Sequence, residues 1–170
     1  MWHVPSGNGR AQYRGPPDEA AADLRVRFLL NIIWLVFAGL WMAIGYLVAA
    51  LIMFVLIVTI PFGVQALKLA GFALWPFGRS AVKMPGHSGA STVGNVLWLL
   101  LCGWWLALGH LVTAFFQAIT IIGLPLAVAN VKMIGMTLTP FGRTIVNNSE
   151  LRHVPSGSIV VGSPEAPARP

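Results

Sequence analysis

Two lysines and two arginines recur at fixed spacing, and they are the side chains best suited to chemistry in this chain. Lys68 precedes Arg79, and Lys132 precedes Arg143, by the same interval. Each lysine stands just before a glycine, Gly71 or Gly135, and each arginine closes a Pro-Phe-Gly-Arg run. Cations arranged this way suit contact with a phosphate, on a lipid headgroup or on a solute. The plainer reading is a lysine that snorkels from an apolar helix to the headgroups.

Acid–base and metal chemistry have little to work with. The five acids, Asp18, Glu19, Asp23, Glu150 and Glu165, all lie outside the long apolar blocks. Proton relays and cation sites inside membranes rely on carboxylates, so a proton-driven pump is disfavoured. Paired-carboxylate catalysis is disfavoured with it. His3, His87, His110 and His153 show no ligand spacing. Only His110 lies in an apolar arm, where it reads as a membrane-interface histidine. Cys102 is the single cysteine, which excludes an intrachain disulfide and reads as a small packing residue. No Ser-His-Asp set, P-loop or dinucleotide fingerprint appears in context. The expectation is no catalytic residue, no metal site and no cofactor. Asn31, Asn95, Gln117 and Asn130 are polar groups in or beside apolar helices, where hydrogen bonds between helices are expected.

The elements that must position these side chains are membrane elements. Hydrophobic residues make up 56% of the chain and charged residues only 9%. A soluble domain carries about 25% charged residues. Residues 28–63 and 84–131 contain no charged side chain, and about 20 apolar residues cross a bilayer core. The chain therefore reads as an integral membrane protein. Its net charge of +6 does not point to nucleic acid, because the basic residues flank the apolar blocks and do not interleave with aromatics. Flanking positive charge is instead an orientation signal. The polar start of the chain does not read as a secretory signal.

One unit occurs twice. Residues 31–79 and 95–143 align without a gap at an offset of 64, with about 20 identities in 49 positions. Asn31, Trp34, Gly39, Trp41, Ala43, Gly45, Pro61, Lys68 and Gly71 return as Asn95, Trp98, Gly103, Trp105, Ala107, Gly109, Pro125, Lys132 and Gly135. Such self-similarity marks a duplicated structural unit. The expected fold is an all-α integral membrane protein of two tandem helical-hairpin units related by an internal pseudo-twofold repeat. Its parts are a polar N-terminal tail (1–27), unit one (28–79), a polar linker (80–93), unit two (94–143) and a C-terminal tail (144–170) expected to be disordered. Each unit has a long arm, a proline and a short arm. If the basic flanks all face the cytoplasm, each unit crosses the membrane an even number of times, and the units are like-oriented, not inverted. Two full hairpins satisfy this. So does a re-entrant long arm followed by an interfacial short helix.

At 100° per residue, Asn31, Trp34, Ala38, Trp41, Gly45 and Val48 form one stripe, with counterparts Asn95, Trp98, Cys102, Trp105, Gly109 and Val112. Leu35, Gly39, Ala43 and Leu47 form a second, matched by Leu99, Gly103, Ala107 and Leu111. The pairs Gly39/Ala43 and Gly103/Ala107 would let helix backbones approach closely. Both stripes read as helix contacts, or as the walls of a pathway. Ile33, Phe37, Leu40 and Ile44 differ between copies and read as lipid-facing. Outside the repeat, His3-Val4-Pro5-Ser6-Gly7 recurs as His153-Val154-Pro155-Ser156-Gly157, for which we have no physical account.

Asn-x-x-Trp, the Gly103-Trp104-Trp105 triplet, Ile121-Ile122-Gly123-Leu124-Pro125, Ala129-Asn130-x-Lys132 and the closing Pro-Phe-Gly-Arg together resemble the YccF family, known by its inner membrane component domain. The resemblance spans residues 28–146. Unit one departs from it, with Gln65-Ala66 where unit two has Ala129-Asn130. The resemblance implies a small multi-pass protein of the bacterial inner membrane with no established activity. Three functions stay open. The first is a non-enzymatic component acting by helix packing, self-association or binding a larger membrane protein. The second is a small channel or transporter, with Lys68, Lys132, Asn31 and Asn95 lining the repeat interface. The third is recognition of anionic lipid by Arg79, Arg143 and the lysines. Both termini are expected in the cytoplasm.

Overall fold

The computed structural model describes residues 17–86, 89–121, 123–156 and 158–162. The N-terminal copy of the His-Val-Pro-Ser-Gly run, His87 and Ser88 lie outside them. Unit one opens with α1 (Pro17–Trp34), passes through a π-helical turn (Leu35–Gly39) and continues as α2 (Leu40–Val55). Residues Glu19–Val55 form one continuous helix of 37 residues, apolar from Phe28 onward, about 55 Å long against a hydrocarbon core of about 30 Å. It begins inside the stretch expected to be a polar tail. A short 3-10 turn (Ile57–Thr59) reverses the chain into α3 (Ile60–Leu74). The Thr59 hydroxyl donates to the carbonyls of Met53 (2.6 Å), near the end of α2, and Leu56 (2.7 Å), just beyond it. Pro61 enters the first turn of α3, where no amide donor is needed.

Unit two repeats the plan. It has α4 (Gly89–Trp98), a π turn (Leu99–Gly103), α5 (Trp104–Ala118) and α6 (Leu124–Leu138), with Pro125 in the first turn of α6. Among the described residues three helices are long and apolar enough to cross a membrane, Glu19–Val55, Ile57–Leu74 and Gly89–Ala118, and Leu124–Leu138 is a shorter apolar helix.

The chain is not all-α. Arg79–Lys83 forms β1, Arg143–Asn147 forms β2 and Ile159–Gly162 forms β3, in one antiparallel sheet of order β2-β1-β3. Thus the linker begins with a strand, and the C-terminal tail supplies two strands and a 3-10 turn (Asn148–His153) where disorder was expected. The reason is physical. Five polar-apolar residues have no stability alone and become a strand only beside a partner 64 residues away. Gly78 (φ +91°) and Gly142 (φ +76°) turn the chain from each short helix into its strand, a conformation that favours glycine. β1 is centred on Ala81, which faces Ile145, its own counterpart in the repeat. Ser80, Ala81 and Val82 are buried, and Ala81 joins the helical core with Ile145 packed against it.

The π turns explain where the helical-wheel reading fails. Trp34 and Ala38 are buried as expected of their stripe, but Trp41 is 69% and Val48 52% exposed, and Trp105 is 63% exposed. A π turn inserts about one residue into the helical phase. Past Gly39 the buried series becomes Met42, Ala43, Tyr46, Ala50 and Met53, and past Gly103 it becomes Leu106, Ala107, His110, Ala114 and Gln117. Leu47 and Leu111 are likewise exposed, while Phe37, Leu40 and Ile44 lie on the exposed side and Ile33 is half-buried.

The long arms meet at one crossing, through reciprocal contacts. A methyl group on Gly109 would lie 3.4 Å from Met42 Cε, and one on Gly45 would lie 3.8 Å from Leu106 Cδ2. Residue 42 thus meets the counterpart of 45, and residue 45 meets the counterpart of 42.

Candidate functional site

The repeated polar residues build a clasp at the open end of each hairpin. In unit one the Asn31 amide donates to the Phe77 carbonyl (3.0 Å) and accepts from the Phe77 amide (3.1 Å). In unit two Asn95 does the same to Phe141, at 3.2 and 2.9 Å. Trp34 Nε1 donates to the Ala73 carbonyl and Trp98 Nε1 to the Thr137 carbonyl, both at 2.7 Å. These four residues therefore tie the long arm to the end of the short arm, and the bonds fall at the same positions in both copies. Gly39 and Gly103 serve the same contact. A Cβ at either would stand 2.7 Å from Cδ1 of the indole it faces. The glycines make room for a tryptophan of their own unit.

Arg79 Nη1 donates to the Gly71 carbonyl at 3.3 Å, and Arg143 Nη1 donates to that of Gly135. Each arginine so covers a carbonyl near the end of its short helix, a favourable place for a cation. Burial lowers the pKa of Arg143 from its ordinary value. Nothing lies within 4 Å of a Cβ at Gly71 or Gly135, so close packing does not explain those two glycines.

The lysines part company. Lys68 Nζ donates to the carbonyls of Pro140 (3.1 Å) and Arg143 (3.0 Å), so α3 reaches across to the closing turn of the other unit. Phe62 and Phe141 reinforce that joint, with ring centroids 5.3 Å apart. Lys132 is exposed. The sheet is asymmetric in the same region: β3 pairs with β1 and packs against α6.

A second polar group lies on the crossing itself and links both units. Tyr46 Oη meets His110 Nε2 at 2.9 Å and Thr137 Oγ1 at 2.6 Å. His110 Nδ1 meets Asn130 Oδ1 at 2.7 Å, and Asn130 Nδ2 donates to Gln117 Oε1 at 2.7 Å. An acceptor at Asn130 Oδ1 makes Nδ1 the protonated nitrogen, so Nε2 accepts from Tyr46. The chain of donors runs from Tyr46 to His110 to Asn130 to Gln117. His110 is 0% exposed, which corrects its reading as an interface residue: both ring nitrogens have buried partners. Tyr46 and Thr137 were not singled out from the sequence. The available signal was that the position occupied by Tyr46 and His110 is polar in both copies. Among the described residues no three His, Cys, Asp or Glu side chains converge as a metal site would require.

A mostly helical chain with three helices able to span a bilayer, organised as two units with the same internal bonds, defines a multi-pass membrane protein built by duplication. The family follows from comparison. The model of the YccF family, the inner membrane component domain, matches twice, at residues 29–79 and 93–143, and the chain belongs to that family. It is 35% identical over 131 residues to the protein named Inner membrane protein YccF of Escherichia coli (strain K12), covering 72% of this chain and 88% of that one. The Shigella flexneri protein of the same name matches to the same extent. No solved structure matches the chain. The resemblance read from the repeated motifs is thereby confirmed.

Proposed function

We propose that the protein is a non-enzymatic component of the inner membrane that works through its apolar surface, by self-association or by binding a larger membrane protein. The observation that carries this is the placement of Trp41 and Trp105. Most of the distinctive repeated residues are used inside the fold: Asn31/Asn95, Trp34/Trp98, Gly39/Gly103 and Arg79/Arg143 all serve the clasps. Trp41 and Trp105 are repeated too, yet they are 69% and 63% exposed. A tryptophan kept in both copies and not used by either core has its contact outside the chain. Trp41, Trp105 and the neighbouring Trp104 flank a groove of about 620 Å³ between α2 and α5. Large aromatics beside a recess are what association surfaces use as anchors.

The same proposal includes a pseudo-twofold axis along the membrane normal. It passes between Ala81 and Ile145 in the sheet and between Tyr46 and His110 at the crossing, two pairs in which a residue meets its own counterpart. The reciprocal Met42–Gly109 and Gly45–Leu106 contacts fit the same operator, as in an isologous dimer interface. Such an axis lets both hairpins enter from one face while their arms cross. Arg79, Lys83 and Arg143 lie on the sheet, and Lys68 bonds to the start of β2, so the positive-inside tendency favours a cytoplasmic sheet, and with it cytoplasmic termini. The pathway reading has less support, because Tyr46, His110 and Thr137 fill the repeat interface with no exposure above 1%. For the anionic-lipid reading, Lys132 is the most exposed of the four basic candidates.

Cysteine crosslinking in native membranes tests the main reading. Trp41→Cys or Trp105→Cys in a Cys102→Ala background is expected to crosslink to a second copy or to a membrane-protein partner. A chain that stays monomeric in mild detergent and forms no crosslink at either position overturns it.

A further inference from the structure

The groove beside Trp41 has a twin. A second groove, of about 540 Å³, lies on the other side of the crossing, between the first long arm and the second hairpin. Val48, Ala49, Ile52, Met53, Leu56 and Thr59 line the first groove. Their counterparts Val112, Thr113, Phe116, Gln117, Thr120 and Gly123 line the second. Duplication thus made two equivalent recesses, and they have since diverged. Where one has Ala49, Met53 and Leu56, the other has Thr113, Gln117 and Thr120.

Two of those three polar groups are already satisfied. The Thr113 hydroxyl donates to the Gly109 carbonyl at 2.8 Å, and that of Thr120 to the Gln117 carbonyl at 3.1 Å. Gln117 is not. It is only 8% exposed, its Oε1 accepts from Asn130, and its Nε2 has no hydrogen-bond partner. The directed chain from Tyr46 therefore ends on an amide with donor hydrogens to give, at the wall of an apolar groove. An unpaired buried donor is costly, and in a bilayer no bulk water relieves it.

We propose that this groove is a binding site for a membrane glycerolipid, with one acyl chain along Phe37, Val112 and Phe116 and its ester carbonyl accepting from Gln117 Nε2 as the buried amide turns into the groove. The occupant's chemistry follows from the surroundings. Phe37 and Phe116 are each 64% exposed and Val112 47%, so the groove opens on the surface that hydrocarbon covers. No charged side chain lines it, so a charged solute has no counter-ion there. An ester carbonyl is an acceptor with no donor of its own, and it satisfies Gln117 without leaving a new group unpaired. The volume lies in the range of small-molecule sites. The first groove is the internal control: Met53 stands where Gln117 does, and the lining offers no comparable donor.

The test uses full-length protein reconstituted in vesicles of phosphatidylethanolamine and phosphatidylglycerol that contain a phosphatidylethanolamine with a photoactivatable diazirine near its ester. Adducts are mapped by peptide mass spectrometry. The expected result is labelling concentrated on the peptides that carry Phe37 and Phe116, falling about tenfold in Gln117→Met. That variant installs the side chain the twin groove already tolerates, and retained helicity and melting confirm that it folds. Met53→Leu is expected to leave the pattern unchanged. Equal labelling of both grooves, or labelling indifferent to Gln117→Met in a folded protein, overturns the proposal. Because the readout is lipid contact, it does not depend on whether the Trp41 surface binds a second copy.

Discussion

Gly39→Ala provides the sharpest test of the clasp. The new Cβ would stand 2.7 Å from Trp34 Cδ1, 2.9 Å from Nε1 and 3.0 Å from the Ala73 carbonyl oxygen. None of these is the free end of a flexible side chain: two belong to a rigid ring and one to backbone. The indole must move, and in moving it gives up its 2.7 Å bond to Ala73. Overpacking costs about 1–3 kcal/mol, and stranding a buried carbonyl about 1–3 kcal/mol more. Alanine returns up to about 1 kcal/mol of helix propensity. The net loss is centred near 3 kcal/mol, a large share of a stability of about 5–15 kcal/mol. Gly71→Ala is the control, because its Cβ meets nothing within 4 Å and only the propensity gain remains. Reversible SDS titration in mild detergent, followed by tryptophan fluorescence, reads both. Gly103→Ala repeats the experiment in the second unit, where the Cβ would stand 2.7 Å from Trp98 Cδ1. Trp34→Phe removes the donor and part of the ring, so Gly39→Ala added to it should cost at least about 1 kcal/mol less than it does alone. If Gly39→Ala matches Gly71→Ala, the indole does not occupy the place assigned to it and the clasp reasoning fails.

Three further outcomes follow from the same geometry. Asn31→Leu strands the amide and carbonyl of Phe77 and should cost about 2–4 kcal/mol in the same titration; Asn95→Leu should cost less, since its bonds are only partly buried. Tyr46→Phe removes the link between His110 and Thr137 and should cost about 1–3 kcal/mol, with no such loss for the exposed Trp41→Phe. Removing residues 158–170 bares the β1 edge that pairs with Val160 and Ile159; hydrogen exchange should quicken across Ala81–Lys83 and change less in β2, which has no pairing with β3.

Periodicity and duplication were legible because they are properties of a contiguous stretch. The apolar blocks mark the helices, and the offset of 64 pairs Asn31 with Asn95 and Trp34 with Trp98 before any contact is known. Two things were not legible. A π turn leaves no mark in composition, so the wheel drawn through Trp34 and Ala38 carried on to Trp41 when the real helix had already slipped a residue. Strand pairing is non-local: Ser80–Lys83 reads as linker until Arg143–Asn147 is laid beside it. Small residues four apart suggest close helix contact in lipid, and Gly39 does lie against the Ala73 carbonyl of α3; what the pattern does not reveal is the indole of Trp34 that shares the space.

Duplication also accounts for where the chain departs from symmetry. On the proposed twofold axis a residue meets its own copy, so an unmutated duplicate would bring two identical side chains together there. Tyrosine against tyrosine, or histidine against histidine, gives no fixed donor and acceptor. Tyr46 against His110 does, and the direction it sets runs on through Asn130 to Gln117. The corresponding positions in the first unit are Ala66 and Met53, so the polar chain extends into one hairpin alone. Once the axial pair has a direction, only one hairpin can receive it. Gln117 is the polar replacement in the second groove that continues this chain, and its unpaired amide marks where the chain ends.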